Sequence, residues 1–226
     1  MNLGKYNSDL KNTIKILEEY SLLGEQNLNN IKNNKSTKYS KQSKVLSREH
    51  NYFEFYKYLV ENTEYDIILI DNSILQFSYD TDVLRYAFYP SPDELDYNGF
   101  LKENFNTNYE SVGDEFRDMY SDYVMQLSDY TSITPIRYDF DEKLYVEGEH
   151  SASHIHFGFV KDFKVNCDKK IIPSLFVLYV IQNYYYDRWK NNKDIYTKYV
   201  RNLKRQCEGL EDSIFTELDK QMIYIK

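Results

Sequence analysis

Apolar residues recur at helical spacing near the start of the chain. The repeating positions are Leu10, Ile14, Leu17, Tyr20 and Leu22. Because residues three or four apart share one face of an α-helix, these side chains form a single apolar stripe. The pattern predicts a helix over residues 1–31, and a second helical pattern runs from Tyr52 to Val60.

The apolar pattern becomes strand-like between residues 65 and 89. Three short runs rich in β-branched and aromatic residues follow one another: Tyr65–Ile70, Ile74–Tyr79 and Val83–Tyr89. Asp71, Asn72 and Ser73 provide turn residues between the first two runs, and Pro90 ends the third. Because antiparallel strands can be joined by short connections, the three runs predict an antiparallel meander.

The second half of the chain also passes from helix to strand. Helical spacing is clearest over Val112–Leu127, and strand patterns follow at Ile133–Phe140, His154–Val160 and Phe163–Ile172. Pro173 then suits the first turn of a helix, where a missing N–H is harmless. This order of elements predicts an α+β fold, with an antiparallel sheet of about six strands in two meanders flanked by helices.

The chain length favours a single domain. Its 226 residues fit one large domain with helical segments at both ends. We interpret residues 50–190 as the core, 1–31 as the N-terminal helix and 191–226 as C-terminal helices. Residues 32–48 would connect the first helix to the core.

The segment over residues 32–48 is rich in lysine. It holds six positive charges and no Asp or Glu, and Lys32, Lys35, Lys38, Lys41 and Lys44 recur every third residue. Its other residues are mostly Asn, Ser, Thr and Gln, which are typical of a solvated linker. A second interpretation is an arm that binds phosphate groups or another acidic partner.

Composition and charge narrow the class of protein. Hydrophobic residues make up 42% of the chain, which indicates a folded protein. The net charge of −8 argues against a general nucleic-acid-binding protein, although it leaves room for a local basic site. Cys167 and Cys207 lie too far apart for a CxxC motif, so neither a disulfide scaffold nor a cysteine-based zinc site is predicted.

The sequence predicts a cytoplasmic protein without a membrane span. The first residues contain no apolar stretch that resembles a signal peptide. The longest apolar run, Ile171–Ile181, is interrupted by Pro173 and is too short to cross a bilayer.

Histidines are concentrated in one short segment. Three of the four histidines are His150, His154 and His156. Because side chains alternate along a strand, His154 and His156 would point to the same face. Arg137 and Asp139 share a face of the preceding strand for the same reason. If the two strands pair, and if His150 folds over from its turn, these five side chains converge.

Several kinds of site fit such a cluster. The three histidines could bind a divalent transition metal, with Asp139 as an orienting group or a fourth ligand. His154 and His156 could instead act as general base and acid on a phosphodiester while Arg137 binds the phosphate. The same groups could also form a pocket for an anionic ligand. Alternatively, they are polar residues on a solvated sheet face.

The sequence resembles a bacterial family of uncharacterised proteins, catalogued as domain-of-unknown-function family twenty-two-ninety. The resemblance rests on Tyr65–Phe77, Leu84–Pro92, the histidine segment after Arg137, and the helix that follows Pro173. It covers roughly residues 50–190. Lys169–Ile172 stands where the family pattern has a Cys-Arg-Ile-Pro-like run, so one expected arginine is missing.

The family resemblance implies a setting rather than an activity. Such proteins resemble members of mobile prokaryotic gene sets, in which toxin–antitoxin and anti-phage modules are common. The leading hypothesis is a defence- or toxin-type protein that acts on or senses RNA, DNA or a nucleotide, as a nuclease or phosphodiesterase if it is an enzyme. The alternative is a non-enzymatic subunit or antitoxin that binds another protein of the same gene set.

Overall fold

An eight-stranded sheet forms the centre of the protein, with helices on both of its faces. The computed structural model describes residues 1–27, 40–48, 52–80, 83–92, 97–130, 134–159, 163–222 and 224–225, with the backbone alone over 124–130. The predicted α+β class is confirmed. The sheet has eight strands, rather than the predicted six or so.

The strand order shows how the sheet is assembled. The strands of the large sheet are β1 Leu23–Gln26, β2 Ile67–Leu69, β3 Ile74–Asp80, β4 Val83–Tyr89, β5 Ile136–Asp141, β6 Ser153–Phe157, β7 Phe163–Cys167 and β10 Tyr224–Ile225. Neighbours are antiparallel except β7 and β10, which are parallel. β8 Lys169–Lys170 and β9 Glu208–Gly209 form a separate pair. Because β4 pairs directly with β5, the two predicted meanders join into one sheet.

Ten helices are present in the described part of the chain. They are α1 Leu3–Glu19, α2 Lys41–Leu46, α3 Tyr52–Glu61, α4 Tyr97–Phe105, α5 Tyr109–Val112, α6 Arg117–Tyr130, α7 Pro173–Tyr184, α8 Tyr186–Asn191, α9 Lys193–Gln206 and α10 Glu217–Gln221. As predicted, α7 begins at Pro173. Within the described ranges, none of the helices has the length and apolar character needed to cross a membrane.

One face of the sheet forms the main hydrophobic core. Tyr86 on β4, Tyr138 on β5 and Ile155 on β6 are buried there with apolar residues of α1 and α7. The Tyr86 and Tyr138 rings stack with their centroids 5.3 Å apart. Tyr138 is fully buried but keeps its hydroxyl hydrogen-bonded to Ser153, which satisfies the polar end of the ring.

The opposite face is apolar only where α3 covers it. Phe55 of α3 packs there beside Ala87 and Tyr89 of β4, in a smaller core. Along β5 and β6, the residues that alternate with main-core residues also point to this opposite face. They are charged residues and histidines: Arg137 and Asp139 on β5, and His154 and His156 on β6. The sheet therefore separates a hydrophobic core from a polar surface beside α3.

The first helix is shorter than predicted. It ends at Glu19, and Ser21 adopts a left-handed conformation with φ of +52°. That turn allows Leu23–Gln26 to pair with β2 as an edge strand, so the predicted helix over 1–31 is wrong beyond Glu19. Residues 28–31 lie outside the described residues.

The predicted helix over Val112–Leu127 is interrupted near its start, between Val112 at the end of α5 and Arg117 at the start of α6. Gly113 follows α5 with φ of +54°, a conformation that ends an α-helix and favours glycine. The helical spacing continues across this position, which is why the apolar pattern alone did not reveal the break.

The described part of the lysine-rich segment is a helix rather than a linker. The Ser40 hydroxyl accepts a hydrogen bond from the Ser43 amide, and Ser40 N–H donates to the Glu64 carboxylate. These contacts cap α2 and fix its start beside α3. Residues 28–39, including Lys32, Lys35 and Lys38, lie outside the described residues.

Candidate functional site

The pairing of β5 and β6 brings the predicted site residues together. Arg137 lies directly opposite His156, and Asp139 lies directly opposite His154. Side chains at paired positions point to the same face of a sheet. The convergence expected from strand alternation is therefore present on the face that α3 covers in part.

A carboxylate contacts the second histidine of β6. Asp139 Oδ2 lies 3.3 Å from His156 Nε2. The rings of His154 and His156 pack edge to face, with centroids 4.6 Å apart. These three side chains form the centre of the candidate site.

A tight turn places His150 over the same face. The amide and carbonyl groups of Val146 and His150 bond to each other at 2.8 and 2.9 Å, and Gly148 within this turn has φ of +69°. The His150 ring lies edge-on to His154, with centroids 5.0 Å apart. The predicted approach of His150 to the other two histidines is thus observed.

His154 is held as a neutral imidazole. It is only 4% exposed, and its Nδ1 lies 2.9 Å from the Ser151 carbonyl oxygen. Because a carbonyl oxygen only accepts hydrogen bonds, Nδ1 carries the proton and Nε2 keeps its lone pair. Burial, with help from neighbouring His156, lowers the pKa of His154 to about 4. Such burial contradicts the interpretation of His154 as a residue on a solvated face.

Asp139 remains ionised despite its partial burial. Burial by itself raises the pKa of the carboxyl group, but the hydrogen bond from His156 and the positive charge of Arg137 outweigh that effect. The net result is a pKa below the usual value for aspartate. The site therefore contains a carboxylate beside a neutral histidine at neutral pH.

The site opens into a cavity of about 280 Å³ between the sheet and the helices α2 and α3. Ala87, which pairs with Arg137, contributes only a methyl group to its wall. Lys44 and Ser47 of the α2 region and Phe55 of α3 line the opposite side. A volume of this size accommodates a small ligand group such as a phosphate with part of its ester.

Positive charges exceed carboxylates around this cavity. Lys44, Arg85 and Arg137 line it together with Asp139 and Asp141. Arg85 lies 3.9 Å from Asp139 and 3.8 Å from Asp141, which are long ion pairs. Within the described ranges, the Arg137 side chain makes no hydrogen bond or ion pair. The chain is acidic overall, but at this cavity it presents the guanidinium of Arg137 without a hydrogen bond or ion pair to the described residues.

The sequence patterns did not identify Arg85, Asp141 or Lys44 as site residues. A charged residue inside the apolar run Val83–Tyr89 was one available signal, because Arg85 interrupts an otherwise apolar and aromatic strand. Its position beside Asp139 depends on the pairing of β4 with β5, two strands separated by α4, α5 and α6. Lys44 reaches the cavity only through the packing of α2.

Asp139 takes the place that was predicted for His150 among possible metal ligands. In the part of the chain that the structure describes, one group of ligand-type side chains could hold an ion, and it consists of Asp139, His154 and His156. One potential ligand atom from each lies within 4.8 Å of the other two. His150 lies beside this group and is not a member of it.

Fold and site together define an α+β protein with a cavity lined by histidine and arginine. The chain belongs to the family described as "Uncharacterized conserved protein (DUF2290)", whose model matches residues 20–226. The family predicted from the sequence is confirmed, and the match extends well beyond residues 50–190. No curated protein and no solved structure matched the chain.

Proposed function

We propose that this protein binds a phosphate-bearing ligand, such as RNA, DNA or a nucleotide, in the cavity and hydrolyses a phosphodiester bond there. The observation that carries the proposal is the position of Arg137. Within the described residues its guanidinium makes no hydrogen bond or ion pair, although its charge acts on nearby Asp139, and Arg137 lies opposite His156 on the paired strand. Guanidinium groups bind phosphate oxygens through paired, charge-assisted hydrogen bonds.

The other groups at the cavity fit defined parts in this reaction. Arg85 and Lys44 add positive charge where the ester would enter. The group of Asp139, His154 and His156 accepts a proton from a water molecule, whose oxygen forms the new bond to phosphorus. His150, which also lines the cavity, donates a proton to the ester oxygen as the bond from that oxygen to phosphorus breaks. The roles for His154 and His156 thus differ from a simple base and acid pair, because buried His154 is a poor proton donor.

The proposed setting is a bacterial defence or toxin module in the cytoplasm, with a partner protein from the same gene set. The family resemblance supports this part of the proposal. The alternative is a non-enzymatic subunit that binds a partner protein. Exposed apolar side chains on α4, α5 and α6 favour that alternative, since Phe105, Tyr109 and Met119 are 37%, 45% and 53% exposed.

Arg137→Gln tests the proposal. We expect it to weaken the binding of labelled single-stranded RNA or DNA, or of a nucleotide, at least tenfold, because a charge-assisted contact contributes roughly 1.5–3 kcal/mol. Fluorescence anisotropy measures the affinity, and gel electrophoresis measures cleavage. Arg201→Gln, on an exposed face of α9, is the matched control and should change affinity less than about twofold.

Two results would contradict the proposed function. One is equal loss of binding in Arg137→Gln and Arg201→Gln, which would indicate general attraction by surface charge. The other is wild-type protein that binds none of these ligands. If Arg137→Gln retains the protein's function in the cell, that result would instead support the alternative in which the protein binds a partner protein.

A further inference from the structure

The donor atoms of Asp139, His154 and His156 are arranged as ligands for a metal ion. Asp139 Oδ2 and His156 Nε2 are 3.3 Å apart. Two ligands at bond lengths of about 2.0–2.1 Å and a tetrahedral angle are separated by about 3.3 Å. The third ligand atom lies within 4.8 Å of the other two, so a side-chain adjustment of roughly 1.5 Å completes the site.

The environment of His154 prepares it for coordination. Its Nδ1–H donates to the Ser151 carbonyl oxygen, which fixes the ring and leaves Nε2 unprotonated. Histidine ligands in metalloproteins commonly donate their second ring nitrogen to a carbonyl or carboxylate in this way. An unprotonated ring nitrogen is the form of histidine that binds metal.

We propose that Asp139, His154 and His156 bind one divalent first-row transition-metal ion. Two imidazole nitrogens and one carboxylate oxygen form a donor set that suits Zn²⁺, Fe²⁺, Co²⁺ or Ni²⁺ better than Mg²⁺ or Ca²⁺, which prefer oxygen ligands. His150 is excluded from the set, in contrast to the three-histidine site expected from the sequence.

The positions of the neighbouring residues give the ion a role. Three protein ligands leave coordination positions for water and for a phosphate oxygen. Arg137, opposite His156, is placed to hold the phosphate beside them, and His150 remains available for proton transfer. This role rests on the proposed phosphodiester hydrolysis, whereas the metal site itself is tested without any phosphate ligand.

Metal titration of the full chain tests the site. Protein stripped with a chelator is titrated with Co²⁺, followed by its visible absorption, and with Zn²⁺, followed by calorimetry. We expect one equivalent to bind to the wild type. Asp139→Asn and His156→Gln should weaken binding at least about a hundredfold, because each removes one of three ligands. His150→Gln is the matched control and should change affinity less than about threefold.

The variants also separate this site from other possibilities. Circular dichroism confirms that each variant is folded, and the wild-type Co²⁺ spectrum is informative even if one variant is not. No stoichiometric Co²⁺ or Zn²⁺ in the wild type would overturn the inference. So would binding that is retained in folded Asp139→Asn or lost in His150→Gln. Metal binding without phosphate binding would leave this inference intact and contradict only the proposed function. Phosphate binding without metal binding would overturn this inference and leave the proposed phosphate binding intact.

Discussion

At the scale of single residues, the position of His150 depends on Gly148. The turn from Val146 to His150 requires a left-handed conformation at this glycine, with φ of +69°. A Cβ atom added there would lie 2.8 Å from Cδ2 of Leu218. The turn therefore tolerates a side chain poorly for two reasons, one in the backbone and one in the packing.

Gly148→Ala should destabilise the protein and disturb the site. We expect the free energy of unfolding to fall by about 1–2 kcal/mol, because alanine in a left-handed conformation is strained and Leu218 must move. Urea denaturation measures this change, and cleavage of the phosphate ester measures the displacement of His150.

Gly113→Ala is the matched control for this turn. Gly113 also has a positive φ, +54°, but a Cβ added there would have no atom within 4 Å. Gly113→Ala should lower the free energy of unfolding only through backbone strain, and it should leave cleavage of the phosphate ester unchanged. Equal effects of the two substitutions on cleavage would show that His150 does not depend on its turn.

Strand alternation explains how four of the site residues could be predicted from the sequence. Arg137, Asp139, His154 and His156 occupy alternate positions on two strands, so their shared face follows from the spacing alone. Whether His150 or Asp139 joins the ligand group depends on side-chain directions at the turn. Spacing along the chain contains no information about those directions.

At the scale of elements, α2 contributes a positive charge that the sheet does not provide. Its start is fixed by Ser40, whose amide contacts Glu64 and whose hydroxyl lies 3.1 Å from the Tyr58 hydroxyl. One turn later Lys44 lines the cavity. The alternation of the sheet could not reveal this contribution, because it depends on how α2 packs against α3.

Lys44→Gln should weaken the binding of RNA, DNA or a nucleotide by roughly three- to tenfold. The slope of the logarithm of the affinity against the logarithm of the salt concentration should also become shallower by about one, since one phosphate contact is lost. Anisotropy titrations at several salt concentrations measure both quantities.

Lys41→Gln provides the comparison within the same helix. Lys41 is also exposed on α2 but does not line the cavity. We expect little change from it at moderate salt. If the two lysines behave alike, α2 attracts the ligand as a basic segment rather than through a defined contact.

Helix boundaries were less predictable than the presence of helices. The apolar stripe through Leu22 continues past Ser21, where the backbone turns, and the helical spacing continues past Gly113. In both places one residue with positive φ ends the helix while the apolar pattern goes on. At Leu22 the buried side chain joins the same core whether it is part of a helix or of a turn before β1.

At the scale of the whole molecule, the buried imidazole of His154 links stability to pH. The pKa of His154 is about 4 in the folded protein, below the ordinary value of 6.5. Between these two values the unfolded chain binds more protons than the folded one. The contribution of neutral His154 to the stability of the folded protein is therefore complete above pH 6.5 and is lost as the pH falls towards 4.

Comparison of His154→Gln with the wild type isolates this effect. The difference in the free energy of unfolding between them should change as the pH falls from 7 to 4.5, by at most about 1.4 kcal/mol per pH unit. As the pH falls, the wild type should become less stable relative to His154→Gln. Urea denaturation in the presence of a chelator measures the difference, and a constant value across this range would mean that His154 titrates like an exposed histidine.

The two faces of β5 have a consequence for how such a protein can evolve. Tyr138 belongs to the main core, while its neighbours Arg137 and Asp139 belong to the cavity. Substitutions at odd and even positions can therefore accumulate separately, the former changing ligand chemistry and the latter changing core packing. An inserted or deleted residue within β5 would exchange the two sets at once, placing charges in the core and a tyrosine in the cavity. Specialisation of the site can thus proceed by replacement of residues, while the length of this strand stays fixed.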